Sequence, residues 1–294
     1  MKEWIPPVLE SATATLINLL PYVVAGVVVS EILKYITWGK LLVRYASVKP
    51  TRAVIWAVGI GIVSPMCTYG SLPIILILFN MGFPVSSLIS FLVASSLMNP
   101  QLFIITWGGI SPMMAVLRLV SVILFALVFG FVLQRIDSHW IVNPNLKHKN
   151  PSILTEQKLF AWREFIKSSL HTLQFVGFYI VIGVLLGAVI DVLIPEDRIF
   201  HLFQKPEWLG ILISALLGIP LYVCGGGTVP LINAMLAKGL SAGAALAFFI
   251  VGPATRITPL VALTTIMRPR FIIFMVLLLL LFATGMGFLI NGII

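Results

Sequence analysis

Charged residues are scarce in this chain of 294 residues: only 10% are Asp, Glu, Lys or Arg, whereas 60% are hydrophobic. A water-soluble domain of this size carries about 25% charged residues. Apolar runs of about 18 residues or more recur along the chain, and such runs are typical of transmembrane helices. The alternation of apolar and polar residues that marks a transmembrane barrel is absent. The composition therefore predicts an all-α, multi-pass protein of the plasma or inner cell membrane.

Cysteine, nucleotide motifs and acidic residues are equally sparse. Two isolated cysteines provide neither a disulfide framework nor a CxxC motif, and the glycine-rich stretches "GIGIVSP" and "VCGGGT" lack the strand and lysine of a nucleotide loop. The net charge of +9 is typical of a membrane protein with basic cytoplasmic loops. We therefore expect a lipid bilayer and a small molecule as partners, no nucleic acid and no cofactor. The start "MKEWIPPVLES" lacks the features of a signal peptide, so we expect it to be retained.

An internal repeat dominates what is present. A shift of 157 residues aligns the two halves without a gap and places Cys67 on Cys224. Matched glycines and prolines at the same offset are Gly26 and Gly183, Gly61 and Gly218, Gly70 and Gly227, Pro73 and Pro230, Gly82 and Gly239, Pro112 and Pro269, and Gly130 and Gly287. The chain thus divides into a first membrane repeat (1–134), a polar linker (135–167) and a second membrane repeat (168–294).

Each half is predicted to contain one long helix, two short apolar segments and two long helices. The predicted ranges are 11–36, 52–65, 71–81, 86–107 and 111–134 in the first half, and 168–194, 208–222, 228–238, 241–265 and 269–291 in the second. Segments of 14 and 11 residues reach roughly 21 and 17 Å, which is short of a hydrocarbon core of about 30 Å. They predict a helical hairpin that enters and leaves on one side, or else two short tilted helices across a thinned region.

Loop charges predict the orientation of the halves. The loop after the first helix contains Lys34, Lys40, Arg44, Lys49 and Arg52 and no acid, whereas its counterpart contains Asp191, Glu196, Asp197, Glu207, Arg198 and Lys205. By the positive-inside rule the first loop, the linker and the loop "MRPR" are cytoplasmic, and the acidic loop is outside. Matching loops then lie on opposite sides. The halves are therefore predicted to be inverted repeats whose hairpin tips approach each other near the midplane.

The hairpin tips carry the motifs "CTYGSLP" and "CGGGTVP". Ser71 and Thr228 are predicted N-caps, and a helix N-terminus favours an anion or a thiolate. The candidate substrate-binding residues are Cys67, Gly70, Ser71, Cys224, Gly225, Gly226, Gly227 and Thr228. Free cysteine is also a common buried apolar residue, and common descent alone explains the matched positions.

Two polar residues near predicted helix breaks complete the candidate site. Arg256 lies 12 residues before Arg268, roughly 18 Å into the bilayer, and a buried arginine at this depth indicates a functional site. It can instead cap carbonyls that are freed by Pro253 and Pro259. Its counterpart in the first half is Asn99, next to Pro100.

The segments "SPMCTYGSLPIILILFNMGFPVSSLISFLVASSLMNP" and "IPLYVCGGGTVPLINAMLAKGLSAGAALAFFIVGPATRITP" resemble the predicted-permease family that includes the organoarsenical permease ArsP and YraQ-like proteins. The resemblance extends over most of the chain. It implies export of trivalent organoarsenicals such as methylarsenite, with Cys67 and Cys224 as thiol ligands of arsenic(III). A soft trivalent centre prefers thiolate ligands.

These observations favour a secondary transporter, not an enzyme, that exports a soft, thiol-reactive small molecule. The sequence contains no ATPase motif, so a proton or ion gradient would drive it. One alternative is a transporter of a small anion that is held by the hairpin helix N-termini and Arg256. An alternative of another class is an intramembrane thiol oxidoreductase, although neither a second cysteine pair nor a quinone or haem site is evident.

Overall fold

The computed structural model describes residues 5–34, 50–65, 83–141, 207–222, 226–255 and 267–293, together with single residues in the ranges 71–79, 163–184 and 260–264. The helices within these residues are α1 (Ile5–Lys34), α2 (Pro50–Val63), α3 (Val85–Leu97), α4 (Pro100–Gly109), α5 (Pro112–Leu133), α6 (Ser138–Ile141), α7 (Glu207–Leu221), α8 (Thr228–Ala237), α9 (Ala242–Ala254) and α10 (Pro269–Ile293). The nearly all-helical fold that the composition predicts is confirmed.

Three stretches of the described chain are long and apolar enough to cross a membrane. They are Val85–Gly109, Pro112–Leu133 and Pro269–Ile293. On α5, apolar side chains at every fourth position are exposed, namely Val116, Val120, Leu124, Val128 and Val132. Because residues four apart share one helix face, this stripe is the surface that α5 offers to lipid. The opposite face of α5 packs against the rest of the protein.

Helices in the two halves begin at positions 157 residues apart. The pairs of first residues are Pro50 and Glu207, Val85 and Ala242, and Pro112 and Pro269. Ser71 is helical, and its counterpart Thr228 is the first residue of α8. Proline is favoured in the first helical turn because the N–H it lacks has no intrahelical partner there, which explains why α2, α5 and α10 begin where they do.

Two predicted long helices are shorter than expected. The predicted helix 86–107 is divided, because Met98 and Asn99 are both extended, with ψ of 136° and 166°. A residue before proline is disfavoured in the helical region, so Pro100 accounts for the extended Asn99. The predicted helix 241–265 ends as α9 at Ala254. Pro253 lies inside α9 and does not break it where the sequence analysis expected.

Glycine brings α2 close to α3 and α7 close to α9. A Cβ atom on Gly61 would lie 2.9 Å from the carbonyl oxygen of Phe91, and one on Gly218 would lie 3.1 Å from that of Phe248. Small residues allow such close approach where hydrophobic burial does not drive helix association. These two contacts are also related by the offset of 157 residues.

The two halves meet through helices from both. α9 contacts α3 and α5, and α8 contacts α4. The rings of Phe125 on α5 and Phe282 on α10 have centroids 5.0 Å apart. Every residue of α9 from Gly243 to Pro253 is buried, so α9 lies at the centre of the described structure.

Candidate functional site

The predicted site residues divide into those that the structure describes and those outside it. Ser71, Asn99, Gly226, Gly227 and Thr228 are described. Those outside the described residues are Cys67, Gly70, Cys224, Gly225 and Arg256. The geometry of the site therefore rests on the second motif from Gly226 onward and on the helix break at Asn99.

Gly226 and Gly227 lead directly into α8. Gly226 has a φ of +92°, which glycine adopts readily and other residues rarely do. Gly227 occupies the N-cap position and Thr228 is the first helical residue. The prediction that Thr228 itself caps the helix is wrong, because the glycine turn ends one residue earlier than expected and Thr228 is already helical. Thr228 and its counterpart Ser71 are both buried.

The start of α8 packs against α4 of the other half. A Cβ atom on Gly226 would lie 2.9 Å from Cδ1 of Ile105, and one on Gly109 would approach Cγ1 of Val229 to 2.5 Å. A Cβ atom at either position would require these side chains to shift, so the two glycines allow the close packing. The second cysteine motif and the helix that follows Asn99 are thus neighbours, although they are more than 100 residues apart in sequence.

Asn99 is the N-cap of α4. Its Oδ1 accepts a hydrogen bond from the backbone N–H of Leu102 at 2.8 Å, which satisfies one of the N–H groups that a helix start leaves unpaired. The opposite side of the break, at the end of α3, leaves carbonyl groups without helical partners. One of these, that of Leu97, is satisfied by a residue that the sequence analysis did not single out.

Arg118 on α5 is that residue. Its side chain is 1% exposed, and it lies six residues into the helix, about 9 Å from the start. Nη2 donates to the carbonyl oxygen of Leu97 at 3.2 Å, and Nη1 donates to Oγ1 of Thr106 on α4 at 3.2 Å. Arg118 therefore joins α5 to both sides of the break between α3 and α4.

Residues of the second half complete the surroundings of Arg118. Cζ lies 4.6 Å from the ring centroid of Phe249 on α9, within the range of a cation–π interaction. The side chain of Tyr222 interacts electrostatically with the guanidinium. Tyr222 follows α7 directly and precedes Cys224 by two residues. The guanidinium thus lies where the helix break of one half meets the motif region of the other.

Two buried donors in this region have no hydrogen-bond partner among the residues that the structure describes. They are Nε of Arg118 and Nε2 of Gln101, which lies in the first turn of α4. Buried polar groups in proteins are nearly always paired, so unpaired donors require an explanation.

Sequence reasoning could have found Arg118, because it is a single charge within a 22-residue apolar helix, the same signal that identified Arg256.

A small cavity lies beside the break. Its volume is about 30 Å³, and it lies between α3, α5, α9 and α10, with Leu97, Phe125 and Met275 among its lining residues. A cavity of this size has room for about one or two water molecules, but its lining is apolar, and apolar cavities stay dry.

No group of three or more His, Cys, Asp or Glu side chains that could hold a metal ion occurs among the residues that the structure describes. Arsenic ligation would need Cys67 and Cys224, both outside those residues. Arsenic would in any case be cargo and not a resident metal.

Comparison with known proteins identifies the family. The ArsP_1 family, described as predicted permeases, matches residues 7–292. A Streptococcus mutans protein, whose name proposes a subunit of a two-component membrane permease complex, is 22% identical over 88% of this chain and 86% of its own length. UPF0718 protein YcgR of Bacillus subtilis is 32% identical over 30% of this chain and 29% of its own. UPF0718 protein YraQ of Escherichia coli is 29% identical over 35% of this chain and 30% of its own length. No solved structure matches.

The resemblance that the two motifs indicated is therefore confirmed. The match covers nearly the whole chain, and the relative with the broadest coverage of those named here is described as part of a membrane permease. These two matches support a role in membrane transport. The chain belongs to the ArsP_1 family of predicted permeases.

Proposed function

We propose that this chain is a secondary transporter whose substrate pathway runs between the motifs at 66–71 and 223–228 and the helix break at Asn99. The observation that carries the proposal is the packing of Gly226 and Val229 against Ile105 and Gly109. This contact brings a predicted hairpin tip of one half to a broken helix of the other. Irregular backbone at membrane depth is tolerated only within protein or beside a water-filled cavity.

The proposed architecture is a pair of inverted repeats, 1–134 and 168–294, joined by a cytoplasmic linker, 135–167. Helix starts 157 residues apart support the repeat, as do the matched contacts of Gly61 and Gly218. The loop charges support the inversion. Inverted repeats with discontinuous helices near the midplane are a common architecture of secondary transporters.

The proposed substrate is a soft, thiol-reactive small molecule, such as a trivalent organoarsenical, that the transporter exports. Cys67 and Cys224 would supply two thiolates, which matches the two exchangeable oxygens of methylarsenite. The family resemblance and the repeated cysteine motif support this substrate class. Ser71, Gly70, Gly225, Gly226, Gly227, Thr228, Asn99 and Arg256 would line the same site.

The test is accumulation of methylarsenite in everted membrane vesicles that contain the protein. Vesicles with the wild-type protein should accumulate the compound in the presence of a proton or ion gradient. Cys67→Ser and Cys224→Ser should each lose most of this uptake, and the double variant should be little worse, because half a chelate binds poorly. Equal amounts of each variant in the membrane are the control.

Wild-type uptake by the double variant would exclude the thiol mechanism. A second candidate, transport of a small anion, would then take precedence, since the surroundings of Arg118 favour a negatively charged ligand.

A further inference from the structure

We propose that Arg118, beside the side chain of Tyr222, forms an intramembrane binding site for a compact oxyanion with a single negative charge. This inference deepens the proposed function and rests on it for the role of the site in transport. Binding itself can be measured without transport.

The first support is a buried charge for which the residues that the structure describes provide no countercharge. The groups found around the guanidinium are a carbonyl oxygen, a threonine hydroxyl, a tyrosine side chain and a phenylalanine ring. The sequence contains no Asp or Glu between Glu31 and Asp137, and none after Glu207. The helices that contact Arg118 therefore carry no acid, except for Glu207 at the far end of α7. Burial of a cation without a countercharge costs much free energy. A bound anion lowers this cost.

The second support is the donor that remains available. Within the described part of the chain, Nε of Arg118 is buried and has no hydrogen-bond partner, while Nη1 and Nη2 each use one donor on a neutral acceptor. Each Nη atom of a guanidinium has two N–H groups, so Nε–H and a neighbouring Nη–H can bind two oxygens of one ligand. This fork matches a carboxylate or a similar planar oxyanion. A halide has a single acceptor atom, so it matches the two N–H groups of the fork less well than two oxygens do.

The third support is the position of the site. Arg118 bonds across the break between α3 and α4 and also lies beside Tyr222, two residues before Cys224. An anion bound here would contact both halves of the protein. The anion would be either the acidic group of the transported solute or a separate ion that is transported with it. Both are oxyanions that would bind the guanidinium in the same way.

The binding test uses the full-length protein in lipid nanodiscs and its thermal unfolding at constant ionic strength. Formate, acetate, nitrate, sulfate and chloride, as sodium salts, are the probes. At least one of the three monovalent oxyanions should raise the unfolding temperature in a saturable way, and chloride should do so less. In Arg118→Gln this saturable shift should disappear, and in Arg118→Lys the apparent affinity should fall tenfold or more, since lysine lacks the fork.

Arg135→Gln is the matched control, because Arg135 is an exposed arginine that follows the same helix. It should keep the wild-type affinity. The proposal is overturned if none of the probes stabilises the wild-type protein, or if Arg118→Gln responds as the wild type does.

A variant with an opposite expected effect keeps the test decisive even if Arg118→Gln does not fold. Thr106→Val removes a neutral acceptor of Arg118 with little change in shape, so one more guanidinium donor becomes available to an anion. The apparent affinity for the oxyanion should rise severalfold, whereas a purely structural role of this hydrogen bond predicts only a lower unfolding temperature. Unchanged or weaker anion affinity would contradict the proposal.

Transport measurements then distinguish the two sources of the anion. Uptake of labelled formate by proteoliposomes identifies a transported solute, whereas methylarsenite uptake that depends on formate identifies an accompanying ion. Loss of methylarsenite transport in the cysteine variants with normal anion binding would support both proposals independently. Anion binding together with unchanged methylarsenite transport in those variants would sink only the thiol mechanism.

Discussion

At the scale of single residues, the two halves share a backbone plan but differ in their polar side chains. Arg118 aligns with Met275, which lines the small apolar cavity, and Arg256 aligns with Asn99. Arg118 lies within an apolar stretch long enough to cross the membrane, and Arg256 is predicted from the sequence to lie within the membrane at a different position of the repeat. Duplication preserved glycines and prolines that fix the fold, whereas the charges that distinguish a site differ between the halves.

The sequence gives only part of the information about Arg118. A lone charge in an apolar helix indicates that it faces protein and not lipid, and Arg118 meets this criterion as clearly as Arg256. Its partners could not be predicted, because α5 is apolar on both faces and its periodicity does not show which face is buried. Only the packing of α3, α4 and α9 around α5 places Leu97, Thr106 and Phe249 at the guanidinium.

Substitution of Gly226 tests the close approach of the second motif to α4. Gly226→Ala should destabilise the protein by about 1–3 kcal/mol, because alanine is strained at positive φ and its Cβ would lie 2.9 Å from Ile105. Gly59→Ala, in α2 with nothing within 4 Å of the added Cβ, should be neutral or stabilise by up to about 1 kcal/mol. Thermal unfolding in nanodiscs measures both. Equal unfolding temperatures for the two variants would contradict the described turn.

At the scale of helices, proline and small polar residues define many of the ends. Ser111 and Asn99 cap the helices that begin at Pro112 and Pro100. These two helix starts can be predicted from the sequence because the capping residue directly precedes the proline. The end of α9 was less predictable. Pro253 lies in the last turn of α9, which continues for only one more residue, to Ala254, so the hydrogen bond that proline cannot donate is lost at the helix end.

The contacts of Gly61 and Gly218 provide a graded test of helix packing. The added Cβ of Gly61→Ala would lie 2.9 Å from both the Phe91 carbonyl oxygen and the Ala94 Cβ, so α2 and α3 must separate. Overpacking of this kind costs about 1–3 kcal/mol. Gly218→Ala should cost less, since its nearest atom would be 3.1 Å away, and Gly285→Ala should cost nothing because its added Cβ has no neighbour within 4 Å. The expected order of unfolding temperatures is therefore Gly61→Ala lowest, Gly218→Ala next and Gly285→Ala highest. Any other order of unfolding temperatures would contradict the close helix contacts described at Gly61 and Gly218.

At the scale of the whole molecule, repeat positions could be predicted because the offset of 157 residues runs through loops and helices alike. The contact between the halves could not, because it is made by apolar side chains without a distinctive pattern, such as Phe125 and Phe282. Orientation in the membrane rests on loop charge alone. It therefore requires an experiment of its own.

Met113 and Arg270 provide this experiment, because they are exposed, lie 157 residues apart and occupy the first turns of α5 and α10. In a background with Cys67→Ser and Cys224→Ser, Met113→Cys should react with a membrane-impermeant maleimide added outside intact cells. Arg270→Cys should react only in everted vesicles, as should Asp137→Cys at the start of the linker. The reason is electrostatic: the loop "MRPR" and the linker are basic and are therefore expected on the cytoplasmic side, whereas the loop before Met113 has no charge. Inversion thus requires Met113 and Arg270 to be labelled from opposite sides. Labelling of both from the same side would mean that the repeats are parallel, and the two cysteine motifs would then enter the membrane from one face and could not meet at the midplane as opposed hairpins.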